Sequence, residues 1–139
     1  MGIIIDTSIW VDVERGNLAP AEIADITKDE PVYVTPPVIA ELEYGIYRAK
    51  TEAQKNKRLS AVNKIKRKPC LIIDRETGDI FGKIASDLGD SGKSSSYMVQ
   101  DVWIAALAIQ HNFKILTHNL KDFEGIPGLE ILSIRKTGK

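Results

Sequence analysis

A chain of 139 residues with 43% hydrophobic and 27% charged side chains can bury one ordinary core, and nothing in it suggests disorder or an internal repeat. Lys and Arg number 19 and Asp and Glu 19, so nucleic-acid affinity must come from local clusters of charge and not from the net field. The lone Cys70 excludes an internal disulfide and suits a core position in a reducing compartment, and no apolar run is long enough for a secretory leader or a membrane span, so the expectation is one cytoplasmic domain over 1–139 with no membrane contact.

Gly2-Ile3-Ile4-Ile5-Asp6-Thr7-Ser8 reads as a short strand buried on both faces that stops at a carboxylate. A short helix follows over Ile9 to Glu14, ended by Gly16-Asn17, and a second over Ala21 to Lys28 with Pro20 near its start. Val32 to Thr35 reads as a strand. Thr35-Pro36-Pro37 starts a helix with Val38, Ile39, Leu42 and Ile46 inward and Glu41 one turn in. Glu52 to Lys68 is a basic helical stretch with Leu59, Val62 and Ile65 as its buried stripe, closed by Pro69. Cys70 to Asp74 reads as another strand ending in a carboxylate, followed by a helix to Gly89 and a polar loop over 91–96 expected to be mobile.

From Asp101 the chain is apolar nearly all round to Ile109, as a central buried helix should be, and Asn112 suits a left-handed cap. Lys114 to Thr117 is a strand, Asn119 to Phe123 a loop or helical turn, and Glu130 to Ile134 a last strand. Strands and helices alternate. The fold class is therefore α/β, a three-layer arrangement with a mainly parallel sheet of about four to five strands and helices on both faces.

Such sheets carry their chemistry beyond the carboxyl ends of the strands. Four acids fall at that edge: Asp6 after the first strand, Glu41 early in the helix after the second, Asp101 at the opening of the buried helix and Asp122 past the fourth strand. Four converging carboxylates repel one another unless a cation neutralises them, and an all-oxygen set suits Mg²⁺ or Mn²⁺ better than zinc. A hard cation there would serve phosphodiester hydrolysis. Each acid has a plainer role open to it: Asp6 and Asp101 as helix caps, Asp122 as a turn former. Asp74 is a rival ligand, but Arg75-Glu76 after it make an ordinary helix start.

The segments Ile3 to Ser8, Glu41-Leu42-Glu43-Tyr44-Gly45-Ile46, Asp101 to Ala106, and Leu116 to Phe123 followed by Ile126-Pro127-Gly128-Leu129 resemble, in order, the motifs of PIN-domain ribonucleases. The subgroup they are most similar to is the VapC toxins of type II toxin–antitoxin pairs. The resemblance implies a Mg²⁺- or Mn²⁺-dependent endoribonuclease with Asp6, Glu41, Asp101 and Asp122 as its acidic quartet and Thr7, Ser8, Thr117 and Asn119 as supporting polar residues. It also implies a homodimer and a small VapB-like antitoxin that occupies the active-site groove and sets a basic side chain among the carboxylates. The sequence departs from relatives at His118, where arginine is common, and the 94–98 approach to Asp101 carries no signature of the family.

Lys55, Lys57, Arg58, Lys64, Lys66, Arg67 and Lys68 lie in a stretch without an acid from Ala53 through Ile73. With His118 they are candidate RNA contacts, although a solvated helix face explains the lysines equally well. Tyr44, Ile46 and Tyr47 are candidates for partner contacts or for the core. Three rival readings stand beside the nuclease: a housekeeping RNA-processing enzyme with the same chemistry, a non-catalytic RNA-binding domain of the same fold, and a phospho-accepting domain built on Asp74. The last lacks a lysine at a strand end, since Lys114 begins its strand.

Overall fold

The computed structural model describes residues 2–90, 92 and 99–134. Most of the 91–96 loop and the 94–98 approach to Asp101 therefore lie outside the described residues. The described chain runs β1 (Ile3–Ile5), α1 (Thr7–Glu14), α2 (Pro20–Thr27), β2 (Val32–Tyr33), α3 (Pro36–Tyr47), α4 (Glu52–Ile65), α5 (Arg75–Asp90), α6 (Val99–His111), β3 (Lys114–Thr117), a 3-10 turn (Leu120–Asp122) and β4 (Glu130–Ser133).

Strand order is β2-β1-β3-β4 and every pairing is parallel. β1 lies between β2 and β3, with Ile5 opposite Leu116. Successive strand side chains point to opposite faces, so exposures of 1% or less at Ile3, Ile4 and Ile5 mean that both faces of the sheet are covered here. That burial is why β1 is an unbroken isoleucine run and not an alternating one. α6 supplies much of the cover, with Ile104 to Ala108 wholly buried. It packs against α5 and α3. Its end is as the sequence suggests: Asn112 has φ 60° and the Phe113 amide returns to the Ala108 carbonyl at 2.8 Å.

Four expectations need correction. Cys70 to Asp74 is not a strand: Cys70 makes a single bridge to Val34, with the Leu71 amide on the Val34 carbonyl at 2.9 Å, and pairing then stops. The run lies at the edge beyond β2, where nothing covers Ile72, which is 74% exposed. Cys70 is exposed too, not core. Leu59 is 41% exposed, and α4 is held down instead by Val62 and Ile65. Finally, Asp101 does not open α6 but lies in its first turn, the helix reaching back to Val99.

Candidate active site

β1 and β3 end side by side, and each delivers polar residues to the same edge. Asp6 occupies the N-cap position of α1, yet its side chain makes no cap bond. Its Oδ2 instead accepts from Thr117 Oγ1 at 2.8 Å, across from β3, and from Ser8 Oγ at 3.1 Å. The carboxylate thus faces the strand ends, only 4% exposed. Glu41 arrives from α3, whose start is fixed by Pro36 and Pro37, and its Oε1 accepts from Thr7 Oγ1 at 2.7 Å. Asp101, 9% exposed, comes from the first turn of α6, and Asp122 closes the 3-10 turn after β3.

All four acids line one open pocket of about 240 Å³ together with Thr7, Ser8, Gln100 and Asn119. Gln100 escaped the sequence reading because a glutamine in a helix carries no motif of its own. Thr117 lies behind the pocket: its hydroxyl takes the Asn119 amide at 2.9 Å while it donates to Asp6, so one buried oxygen ties the loop after β3 to the acid after β1.

The electrostatics follow from this crowding. Burial pushes the Glu41 carboxyl above its ordinary range, the Thr7 hydroxyl opposes the shift, and the negative charges of Asp6 and Asp122 add to it. Burial, then Asp6, raises Asp122 in the same direction. A carboxyl raised on folding binds protons more tightly in the native state, so its ionisation destabilises the fold as pH climbs from the usual carboxylate range through the raised value. Glu41→Gln, which keeps an oxygen for Thr7, should therefore melt above the wild type at pH 7 in chelator, with the advantage vanishing as pH falls toward 4. Half-exposure and solvent screening hold the effect below about 1 kcal/mol.

The donors are hard oxygens with excess negative charge in a pocket open to solvent, which fits a divalent cation. Among the described residues no three of them close into a ready-made cage. Mg²⁺ does not need one, because it keeps several waters and takes one or two carboxylates plus substrate phosphate.

The other candidates are scattered. Asp74 caps α5: it accepts from the Thr77 amide at 3.2 Å and from Gln110 Nε2 at 3.0 Å, bonds that hold its carboxyl below the usual range. Of the basic residues on and after α4, Arg58 turns inward to the Gly45 carbonyl at 2.7 Å, Lys57 pairs with Glu14, Lys66 with Glu43, and Lys68 lies over the Trp10 ring. Lys55, Lys64 and Arg67 are exposed. Tyr44 and Tyr47 project from α3 at 67% and 77% exposure, while Ile46 is core. His118 faces inward, with Nε2 2.7 Å from Oδ2 of the buried Asp12, a residue the sequence reading passed over.

The profile of the PIN domain matches residues 3–129. The chain belongs to the PIN-domain family. Within that family it is 35% identical to Ribonuclease VapC of Rickettsia bellii over 135 residues, 96% of this chain and 97% of the relative. It is 33% identical to Ribonuclease VapC1 of Rickettsia felis over the same shares. The crystal structure of VapBC2 from Rickettsia felis bound to a DNA fragment from their promoter superposes with a TM-score of 0.81 at 22% identity, covering 97% of this chain and 100% of that one. The three-layer α/β fold is thus that of the PIN domain, as the motifs resembling that family implied. The pocket of four acids lies inside the matched span.

Proposed function

We propose that this PIN domain, read as a single domain over 1–139, is a Mg²⁺- or Mn²⁺-dependent endoribonuclease and the toxin of a VapBC-like pair. The observation that carries the reading is the convergence of Asp6, Glu41, Asp101 and Asp122 from four separate elements on one pocket. Full-length similarity to curated VapC ribonucleases supports it. Asp6, Asp101 and Glu41 would hold the cation directly or through water, and Asp122 would complete the site or hold a second ion. A divalent cation bound there lowers the pKa of water and offsets charge on the phosphate.

The chain's own part is placement. Thr117 and Ser8 fix one oxygen of Asp6 and Thr7 fixes one of Glu41, and both carboxylates line the pocket. Water attacks the phosphorus in line and the 3′ oxygen leaves, giving a 5′-phosphate and a 3′-hydroxyl with no need of the ribose 2′-hydroxyl. Lys55, Lys64 and Arg67 contribute salt-sensitive attraction for the RNA backbone. Target choice falls to loops and RNA shape, with exposed single-stranded sites favoured.

A largely apolar cleft of about 180 Å³ adjoins the site and shares Thr7 and Glu41 with it; Trp10, Val11, Leu42 and Ile65 wall it, and Glu14, Arg15 and Arg58 also line it. A VapB-like antitoxin seats apolar residues there while a basic side chain reaches the carboxylates. The working form is a homodimer in the cytoplasm; among the described residues no helix is long and apolar enough to cross a membrane.

The test is to incubate the purified chain, free of antitoxin, with total RNA in Mn²⁺ and to map new 5′ ends. A few discrete 5′-phosphate sites, absent in chelator, are expected. No new ends from a preparation that binds Mn²⁺ would point to an RNA-binding module instead. Mn²⁺ at 100 times its dissociation constant should also stabilise the wild type by about 2.7 kcal/mol and reverse its order with Glu41→Gln.

A further inference from the structure

Asp12 is 5% exposed on a helix whose other buried members, Ile9 and Trp10, are apolar. A carboxylate so placed is costly without a partner, and its partner comes from far along the chain. His118 reaches α1 at two points. Its backbone amide donates to Ser8 Oγ at 3.2 Å, and its Nε2 lies 2.7 Å from Asp12 Oδ2. Ser8 and Asp12 are four residues apart, on one face of α1, so the two contacts form a clamp along that face.

What the clamp holds is the start of the loop that carries the fourth acid. The next residue, Asn119, anchors its amide on Thr117 Oγ1 at 2.9 Å, and its carbonyl takes the Asp122 amide at 3.0 Å. At the other end, Ser8 Oγ, which receives the His118 amide, donates to Asp6 at 3.1 Å. The pair is thus tied through short bonded steps to both Asp6 and Asp122, while both its side chains are turned away from solvent.

We propose that His118 and Asp12 are positioning residues for the acidic pocket: the pair sets where Asp122 stands relative to Asp6, and it does not touch RNA. This rests on the reading of the four acids as a cation site. Removing groups that orient metal-holding carboxylates typically costs about 10- to 100-fold in affinity.

The experiment is calorimetric titration of the full chain with Mn²⁺, with thermal melts to confirm that each variant is folded. His118→Ala and Asp12→Ala should each weaken Mn²⁺ binding about tenfold, and the double variant no more than the worse single. In an Asp122→Asn background the His118→Ala effect should shrink below about twofold, because no charged fourth acid is left to misplace. A residue needed only for folding would show the same loss in both backgrounds. Should either alanine variant fail to fold, His118→Gln and Asp12→Asn, which keep a polar side chain of similar reach, carry the same cycle with smaller losses. Wild-type Mn²⁺ affinity in the His118 variants, or an equal loss with and without Asp122, overturns the proposal while leaving the cation site standing. Mn²⁺ binding that Asp6→Asn does not weaken overturns the cation site, and the positioning role falls with it.

Discussion

Asp6→Asn, or Asp101→Asn, should lower RNA cleavage by roughly 10²- to 10³-fold or more, the loss typical when a preorganised electrostatic group at a reacting centre is removed. The fold should survive the first exchange intact. Asparagine has the shape of aspartate, and its oxygen can still accept from Thr117 and Ser8 at the places Asp6 Oδ2 now occupies. The negative charge of Asp6 is one reason the Glu41 and Asp122 carboxyls sit high, so its removal also relaxes both toward the ordinary range. Without cation the Asp6→Asn protein should therefore melt no lower than the wild type. Mapped 5′ ends and a thermal melt on the same preparations check both halves. Undiminished, cation-dependent cleavage by either variant would remove the quartet from the mechanism.

Phe123→Ala should cost about 3–5 kcal/mol, the usual toll of emptying a buried aromatic site. Phe123 is among the largest fully buried side chains and directly follows Asp122. Its amide closes the 3-10 turn on the Leu120 carbonyl at 3.0 Å. The ring is what presses this turn onto the core, and the fourth acid is fixed as a result. At about 2–4 °C per kcal/mol for a chain of this size, the melting temperature should drop by roughly 6–20 °C. Cleavage by the fraction that stays folded should fall as well, because Asp122 loses its anchor. Urea melts and single-turnover rates at a temperature where the variant remains native would measure the two effects separately. A wild-type melt would mean that the turn is held by its backbone bonds alone.

Local pattern carried most of the frame. An isoleucine run with no polar alternation reads as a central parallel strand, and β1 is one. The all-round apolar stretch after Asp101 reads as a buried helix, and α6 is one. The four acids could be placed at one edge because each lies shortly past a strand or in the early turns of a helix. Elsewhere the deciding contacts were distant in sequence. Cys70 to Ile73 has the composition of a strand, but strand formation needs a partner and a cover, and at the sheet edge Ile72 has no cover. The basic stretch reads as a single charged face, yet Glu14 on α1 and Glu43 on α3 claim two of its lysines and the Gly45 carbonyl claims Arg58. Asp12 and His118 each look like solvated polar residues until α1 and the loop after β3 are brought together.

The placement of β1 also sets a timetable for synthesis. This strand leaves the ribosome before either of its neighbours, and one of them is β3, which ends at Thr117. Asp6 takes its shortest hydrogen bond from that same residue. Until β3 has emerged, the central strand has an open edge and the first carboxylate lacks its clamp. A pairing of such long sequence separation forms late. A chain that has not yet delivered β3 therefore carries no assembled pocket, and a cell translating it is exposed to the finished site only after Thr117 has emerged.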